Sequence, residues 1–125
     1  MKLRIKGDTL RLRLNRTELD QLAATGAVED CIQFAPTQQL IYRIRAAAPG
    51  TALSATFNHD AITLSVPSTD IKTWQATDQV GLYASQDLGN SRHLEITLEK
   101  DFDCLHRDPQ LRDKAAFPNP AATLK

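Results

Sequence analysis

The chain has 125 residues, 42% hydrophobic and 24% charged, which is the size and composition of one ordinary globular domain. Fifteen basic residues balance fifteen acidic ones, so no gross charge bias points to nucleic acid, a membrane surface or an acidic substrate. No apolar run approaches the roughly 20 residues of a membrane span, the opening residues lack a continuous apolar signal core, and two cysteines are too few for a disulfide scaffold; a cytoplasmic protein with no membrane contact is expected.

The first segments alternate. Leu3 and Ile5 share one face of a strand with Lys2, Arg4 and Lys6 on the other; Leu10, Leu12 and Leu14 repeat the scheme against Arg11 and Arg13. Gly7-Asp8 between them has tight-turn length, so a hairpin is predicted. The period then changes. Leu19, Leu22 and Ala23 recur at helical spacing, Asn15 or Thr17 can cap the start, Glu18 suits the positive end and Gly26 can stop the helix, which predicts a helix over about 16–25. Strands are expected at Val28 to Phe34 and Leu40 to Ala46, joined by a loop at Ala35-Pro36-Thr37.

A shift of 52 residues brings the same order back: strands at Leu53 to Asn58 and Ala61 to Val66, a helix opened by Pro67-Ser68-Thr69-Asp70 and running through about Thr77, and strands at Val80 to Gln86 and His93 to Glu99 around a turn at 87–91. In that register Leu22 matches Trp74, Val28 matches Val80, and Tyr42-Arg43-Ile44 matches Leu94-Glu95-Ile96. The predicted fold is α+β: two tandem ββαββ repeats, about 2–46 and 53–98, with pseudo-two-fold symmetry. They share one barrel-like or two-sheet core, because neither half is large enough to bury its own sheet. Residues 99–125 fall outside the repeat. Pro109, Pro118 and Pro120 forbid a long helix or central strand there, and Phe102, Leu105, Leu111 and Phe117 are spaced apolar anchors, so an extended C-terminal arm is expected. The whole, 1–125, is read as a single domain.

Few residues point to chemistry. Cys104 and His106 would share a face of an extended segment and could reach one metal ion, but a tetrahedral site needs two more ligands, which only Cys31, His59 or His93 could bring. The plainer reading is a structural cysteine and a surface histidine. As a nucleophile Cys104 lacks an orienting group, and Asp101 and Asp103 would raise its pKa. There is no phosphate-binding glycine loop, HExxH, GxSxG or CxxC, so no catalytic residue and no cofactor is assigned. The basic stripe Lys2, Arg4, Lys6, Arg11 and Arg13 is the clearest surface feature. It lacks the interleaved aromatics of nucleic-acid platforms, which argues against nucleic acid; the plainer reading is a solvated face paired with Glu95 and Glu99, ahead of a surface for a protein partner or self-association. Phe117, in the FPNP turn of the arm, is a second candidate contact.

The stretches MKLRIKGDTLRLRLNRTELDQL, DQVGLYASQDLGN and EKDFDCLHRDPQLRDKAAFPNP resemble an uncharacterised family of small bacterial proteins, over nearly the whole chain. The resemblance implies a bacterial, non-secreted protein and brings no activity with it. In that family an acidic stretch precedes the FPNP end, whereas Arg112-Asp113-Lys114-Ala115-Ala116 stands here. The expected function is therefore a non-enzymatic binding or adaptor protein using the basic hairpin and the arm. The alternative is a metal- or small-ligand-binding protein using Cys104 and His106.

Overall fold

Alternating apolar and basic residues fold the front of the chain into a hairpin of β1 (Lys2–Lys6) and β2 (Thr9–Leu14). The computed structural model describes residues 1–102. After β2 comes helix α1 (Arg16–Thr25), which starts at Asn15 in a capping box: Glu18 N–H donates to Asn15 Oδ1 (2.8 Å) and Asn15 N–H donates to Glu18 Oε1 (2.9 Å). It ends where Gly26, at φ +87°, takes the left-handed conformation and donates its N–H to Leu22 O (2.9 Å). Two long strands follow, β3 (Ala27–Ala35) and β4 (Gln38–Ala47). The chain then runs through β5 (Ser54–Asn58), β6 (Ala61–Pro67), α2 (Ser68–Ala76), β7 (Gly81–Gly89) and β8 (Arg92–Lys100).

Two four-stranded sheets result, in the orders β1-β2-β8-β7 and β3-β4-β6-β5. The hairpins are antiparallel, but the centre of each sheet is a parallel pair, β2 with β8 and β4 with β6. Each sheet thus joins a hairpin from the first half of the chain to one from the second. No hydrogen-bonded ladder closes either sheet among the described residues, so the core is of the two-sheet kind and not a barrel.

The spacing of equivalent elements corrects the expected uniform shift. β1, β2 and α1 begin 52 residues before β5, β6 and α2, whereas β3 and β4 begin 54 residues before β7 and β8. Two extra residues between α2 and β7 account for the change. Val80 is therefore not the counterpart of Val28: it precedes β7 and is 48% exposed, while Val28 is in the core. The last hairpin is also longer than expected. β7 continues to Gly89, past a register irregularity at Asp87/Gly89, and the turn is only Asn90-Ser91, both at positive φ. The irregularity at Gln33/Ala35 likewise lets β3 reach Ala35, beside the Pro36-Thr37 turn.

One core gathers side chains from both sheets and both helices. Leu12, Leu98, Ile44 and Leu64, all from central strands, are fully buried, as is Trp74 of α2; Leu19 and Leu22 of α1 and Ile71 of α2 pack with them. Trp74 and Leu22 are thus both buried beneath their helices. The Trp74 indole N–H donates to Val80 O (3.1 Å), so the largest core residue leaves no buried donor unmatched. At one side the sheets are stitched edge to edge. The Gln86 amide of β7 accepts from Ala55 N–H (2.7 Å) and donates to Ala55 O (3.0 Å), reproducing with one side chain the two bonds of a strand pair.

Replacing Trp74 by Ala is expected to cost about 3–5 kcal/mol, the range for truncating a buried aromatic. Gln86→Leu, which strands the Ala55 N–H, is expected to cost about 1–3 kcal/mol. Urea unfolding followed by circular dichroism measures both, and the Trp74 loss should be the larger.

Candidate functional site

The outer face of the first sheet carries the basic stripe. Pairing sets it in rows: Lys2 opposite Arg13, which lies beside Glu99, and Arg4 opposite Arg11, which lies beside Thr97 and, across β8, Tyr83. Lys6 and Thr9 continue the pattern toward Glu95 and Ser85. All five cations thus share one face. Arg43 and Arg45, which alternate in the same way, belong to the second sheet, where Arg43 Nε lies 3.2 Å from Glu29 Oε1.

Glu99 is the centre of charge on this face. Its carboxylate lies 3.8 Å from Arg11 Nε and 3.6 Å from Arg13 Nε, and it accepts a hydrogen bond from the Tyr83 hydroxyl (3.1 Å). Lys2 Nζ pairs with Asp101 at 2.8 Å. Glu95 is engaged differently from the sequence expectation: it accepts from Ser85 Oγ (2.7 Å) and pairs with no stripe cation within 4.0 Å. Among the described residues Arg4 and Lys6 have no ion pair within 4.0 Å, although Arg4 sits opposite Arg11. Like charges in direct cross-strand register destabilise a sheet.

Tyr83 is the residue that sequence reasoning missed. It is 60% exposed, and it leans along β7 to reach Glu99 over Gly81. A Cβ at Gly81 would stand 2.5 Å from Leu98 O, 2.8 Å from Glu99 Cγ and 3.1 Å from the Tyr83 hydroxyl. Glycine there is what allows the phenol and the carboxylate to meet. Contact of the phenol with the sheet, then the hydrogen bond and negative charge of Glu99, raise the Tyr83 pKa against a smaller lowering by Arg11. The available signal was the Gly-x-Tyr spacing at the start of β7, which becomes legible only once β8 is known to lie beside it.

The other candidates do not converge. Cys104, His106 and Phe117 lie outside the described residues. Cys31 is an exposed free thiol on β3 of the second sheet, His59 is in the β5–β6 turn and His93 is on β8 of the first sheet. Among the described residues no group of three or more His, Cys, Asp or Glu could hold a metal ion, and no helix is long and apolar enough to cross a membrane. A groove of about 730 Å³ runs between the start of α1 and the end of α2. Several of its polar groups are engaged: Gln75 donates to Asp20 (3.2 Å), Lys100 Nζ donates to Thr77 O (2.6 Å), and Asp101 pairs with Lys2 from outside the groove.

Over residues 1–121 the chain matches the model of a family described as a family of unknown function (DUF7009). The chain belongs to that family. The match spans both sheets and reaches into the segment beyond β8, in accord with the resemblance seen at both ends of the sequence. No curated protein and no solved structure matches the chain.

Glu99→Gln is expected to lower the Tyr83 pKa, read as the alkaline absorbance step missing from Tyr83→Phe. A raised folded-state pKa contributes stability fully below the unfolded phenol pKa and loses it as pH rises through the folded value. The alkaline side of the stability profile should therefore flatten in Glu99→Gln. Gly81→Ala should cost about 1–3 kcal/mol in urea unfolding, because the obstructing Leu98 oxygen is backbone.

Proposed function

We propose that this chain is a non-enzymatic binding protein of the bacterial cytoplasm, built from a duplicated ββαββ unit, and that the outer face of its first sheet is the surface that meets an anionic protein partner. The observation that carries the reading is Arg4, opposite Arg11 with no acid in reach among the described residues, on a face that already holds Lys2, Lys6 and Arg13. A surface serving solubility alone gains nothing from placing two guanidiniums face to face, whereas planar five-donor groups suit carboxylates. The free thiol of Cys31 fits a reducing compartment.

The duplication is supported by pairing. Adding 52 to the β1, β2 and α1 numbers and 54 to the β3 and β4 numbers converts Leu3↔Leu12 into Ala55↔Leu64 and Ala27↔Arg45 into Gly81↔Glu99. The same rule carries the parallel pair Ile44↔Leu64 onto Leu98↔Leu12. Basic residues did not follow the duplication: at the places of Lys2, Arg4, Lys6, Arg11 and Arg13 the second unit has Ser54, Thr56, Asn58, Thr63 and Ser65. Two surfaces of common geometry with one made cationic argue that the charge serves recognition, not folding. Phe117 and the arm enter the proposal on sequence alone.

The test is capture from the host extract at moderate salt, comparing wild type with Arg4→Glu/Arg11→Glu/Arg13→Glu. A stoichiometric protein partner held by the wild type and lost from the variant, at unchanged circular dichroism, is the expected result. Equal capture by both would remove the face from the proposal.

A further inference from the structure

We propose that the free edge of β1 receives an extended segment of another protein in which acidic and apolar residues alternate. This deepens, and rests on, the reading of the first sheet as the binding surface. The four sheet edges are not alike. The backbone of β5 at Ala55 is taken up by the side chain of Gln86 of β7, and on β7 Gly81 O accepts from Gln79 Nε2 (3.1 Å). On β3 the Cys31 N–H is taken by the Asp30 carboxylate (2.9 Å). On β1, among the described residues, no side chain hydrogen-bonds to the backbone of Lys2 through Lys6, and β2 occupies only one side.

The seam beside β1 differs from its counterpart at one decisive position. By the pairing registers, Leu3 and Ile32 stand where Ala55 and Gln86 stand on the stitched side. An isoleucine cannot supply the two hydrogen bonds of the Gln86 amide, so the β1 side is left unstitched. The polar link found there is the Met1 amino group, 3.9 Å from Asp30. Exposed apolar side chains occur on both sides: Ile5 of β1 (58%) and Ile32 and Phe34 of β3 (47% and 67%), and on the stitched side Phe57 of β5 (66%) and Leu88 of β7 (47%).

The two faces of β1 specify the guest. A strand added at this edge shows alternate residues to each face, at the same period of about 6.8 Å as β1 itself. One set comes beside Lys2, Arg4 and Lys6, and the other comes beside Leu3 and Ile5. Acidic residues satisfy the first set and apolar residues the second. Main-chain bonds supply affinity in such strand addition, and the alternate side chains supply specificity. The same charges reject a second copy: antiparallel pairing of β1 with β1 about Arg4 would oppose Arg4 to Arg4 and Lys2 to Lys6.

The test titrates the full chain, its backbone amides followed by NMR, with two synthetic peptides of about seven residues and equal composition. One alternates Glu with Val; the other has the Glu residues in a block. The expected result is binding of the alternating peptide roughly tenfold or more tighter than the block isomer, with amide shifts concentrated at residues 2–6. Arg4→Glu and, independently, Ile5→Lys should each weaken it by about tenfold without lowering the melting temperature, both side chains being exposed and Arg4→Glu removing a like-charge pair with Arg11. Equal affinity for the two isomers, shifts elsewhere, or no binding would overturn the edge assignment. So would concentration-dependent dimers lost in Ile5→Lys, displacement of the peptide by an oligouridylate, or tighter peptide binding after Leu105→Lys in the tail. These outcomes point respectively to a second copy, to nucleic acid and to the chain's own C-terminal segment as the occupant. Partner capture abolished by the triple arginine reversal, together with indifference to peptide pattern, would keep the binding face and sink only the strand-addition inference.

Discussion

The two parallel pairings are the constraint on which the rest of this fold depends. A two-stranded hairpin is marginal in water, and each half of this chain contains only two of them with a helix between. Pairing β2 with β8 and β4 with β6 turns four weak hairpins into two four-stranded sheets. The strands that enter these parallel pairs carry the completely buried residues Leu12, Leu98, Ile44 and Leu64, whereas β1, β3, β5 and β7 are left at the edges. Because β2 must wait for β8, almost at the other end of the described chain, the first sheet closes only after nearly all of it is made. Such non-local pairing is slow to form and leaves edges exposed in the meantime.

Edge management follows from that topology. Four edges remain, and three are answered by side chains: Gln86 bridges β7 to β5 at Ala55, and Asp30 takes the Cys31 N–H on β3. At β1 the answer is charge alone. Cationic side chains guard an edge well against neutral or basic strands and against copies of itself, but they do not guard it against an acidic one. The edge least blocked by hydrogen bonding is therefore also the one whose accessibility is selective by sign.

Much of the architecture was legible in the sequence because the signals were local. Alternation in Lys2 to Leu14, the Asn15-to-Glu18 capping box and Gly26 each act within a few residues, and each element appears where its pattern stands. The partition into two sheets was not legible, since no local pattern states that β2 should lie beside β8 and not beside β3. The uniform register failed for a related reason. Val28 and Val80 look alike in sequence, but the two residues added after α2 leave Val80 in the connection, with only its carbonyl engaged, by the Trp74 indole and the Lys100 N–H. On the candidate face, the five cations were legible from period two. Tyr83 and its partner Glu99 were not, because their meeting depends on an antiparallel pairing and on the missing Cβ of Gly81.

Glu99 then explains why the face is neither neutral nor simply repulsive. Its single carboxylate is shared by Arg11, Arg13 and the Tyr83 hydroxyl, which spreads one negative charge over two cations and leaves part of each unmatched. A second acid in the row of Arg4 and Arg11 would have quenched the face, but that place on β8 is Thr97, with Tyr83 beyond it. The acids of the sheet thus lie on the β8 side while the unmatched cations lie toward β1, so the charge is graded across the strands and not mixed. Positive potential accordingly increases toward the strand whose outer backbone, among the described residues, accepts or donates no side-chain hydrogen bond. An anionic chain drawn by that gradient would meet, at its end, the hydrogen-bonding groups able to hold it in register, and the proposal for the β1 edge rests on this coincidence of long-range attraction with short-range pairing.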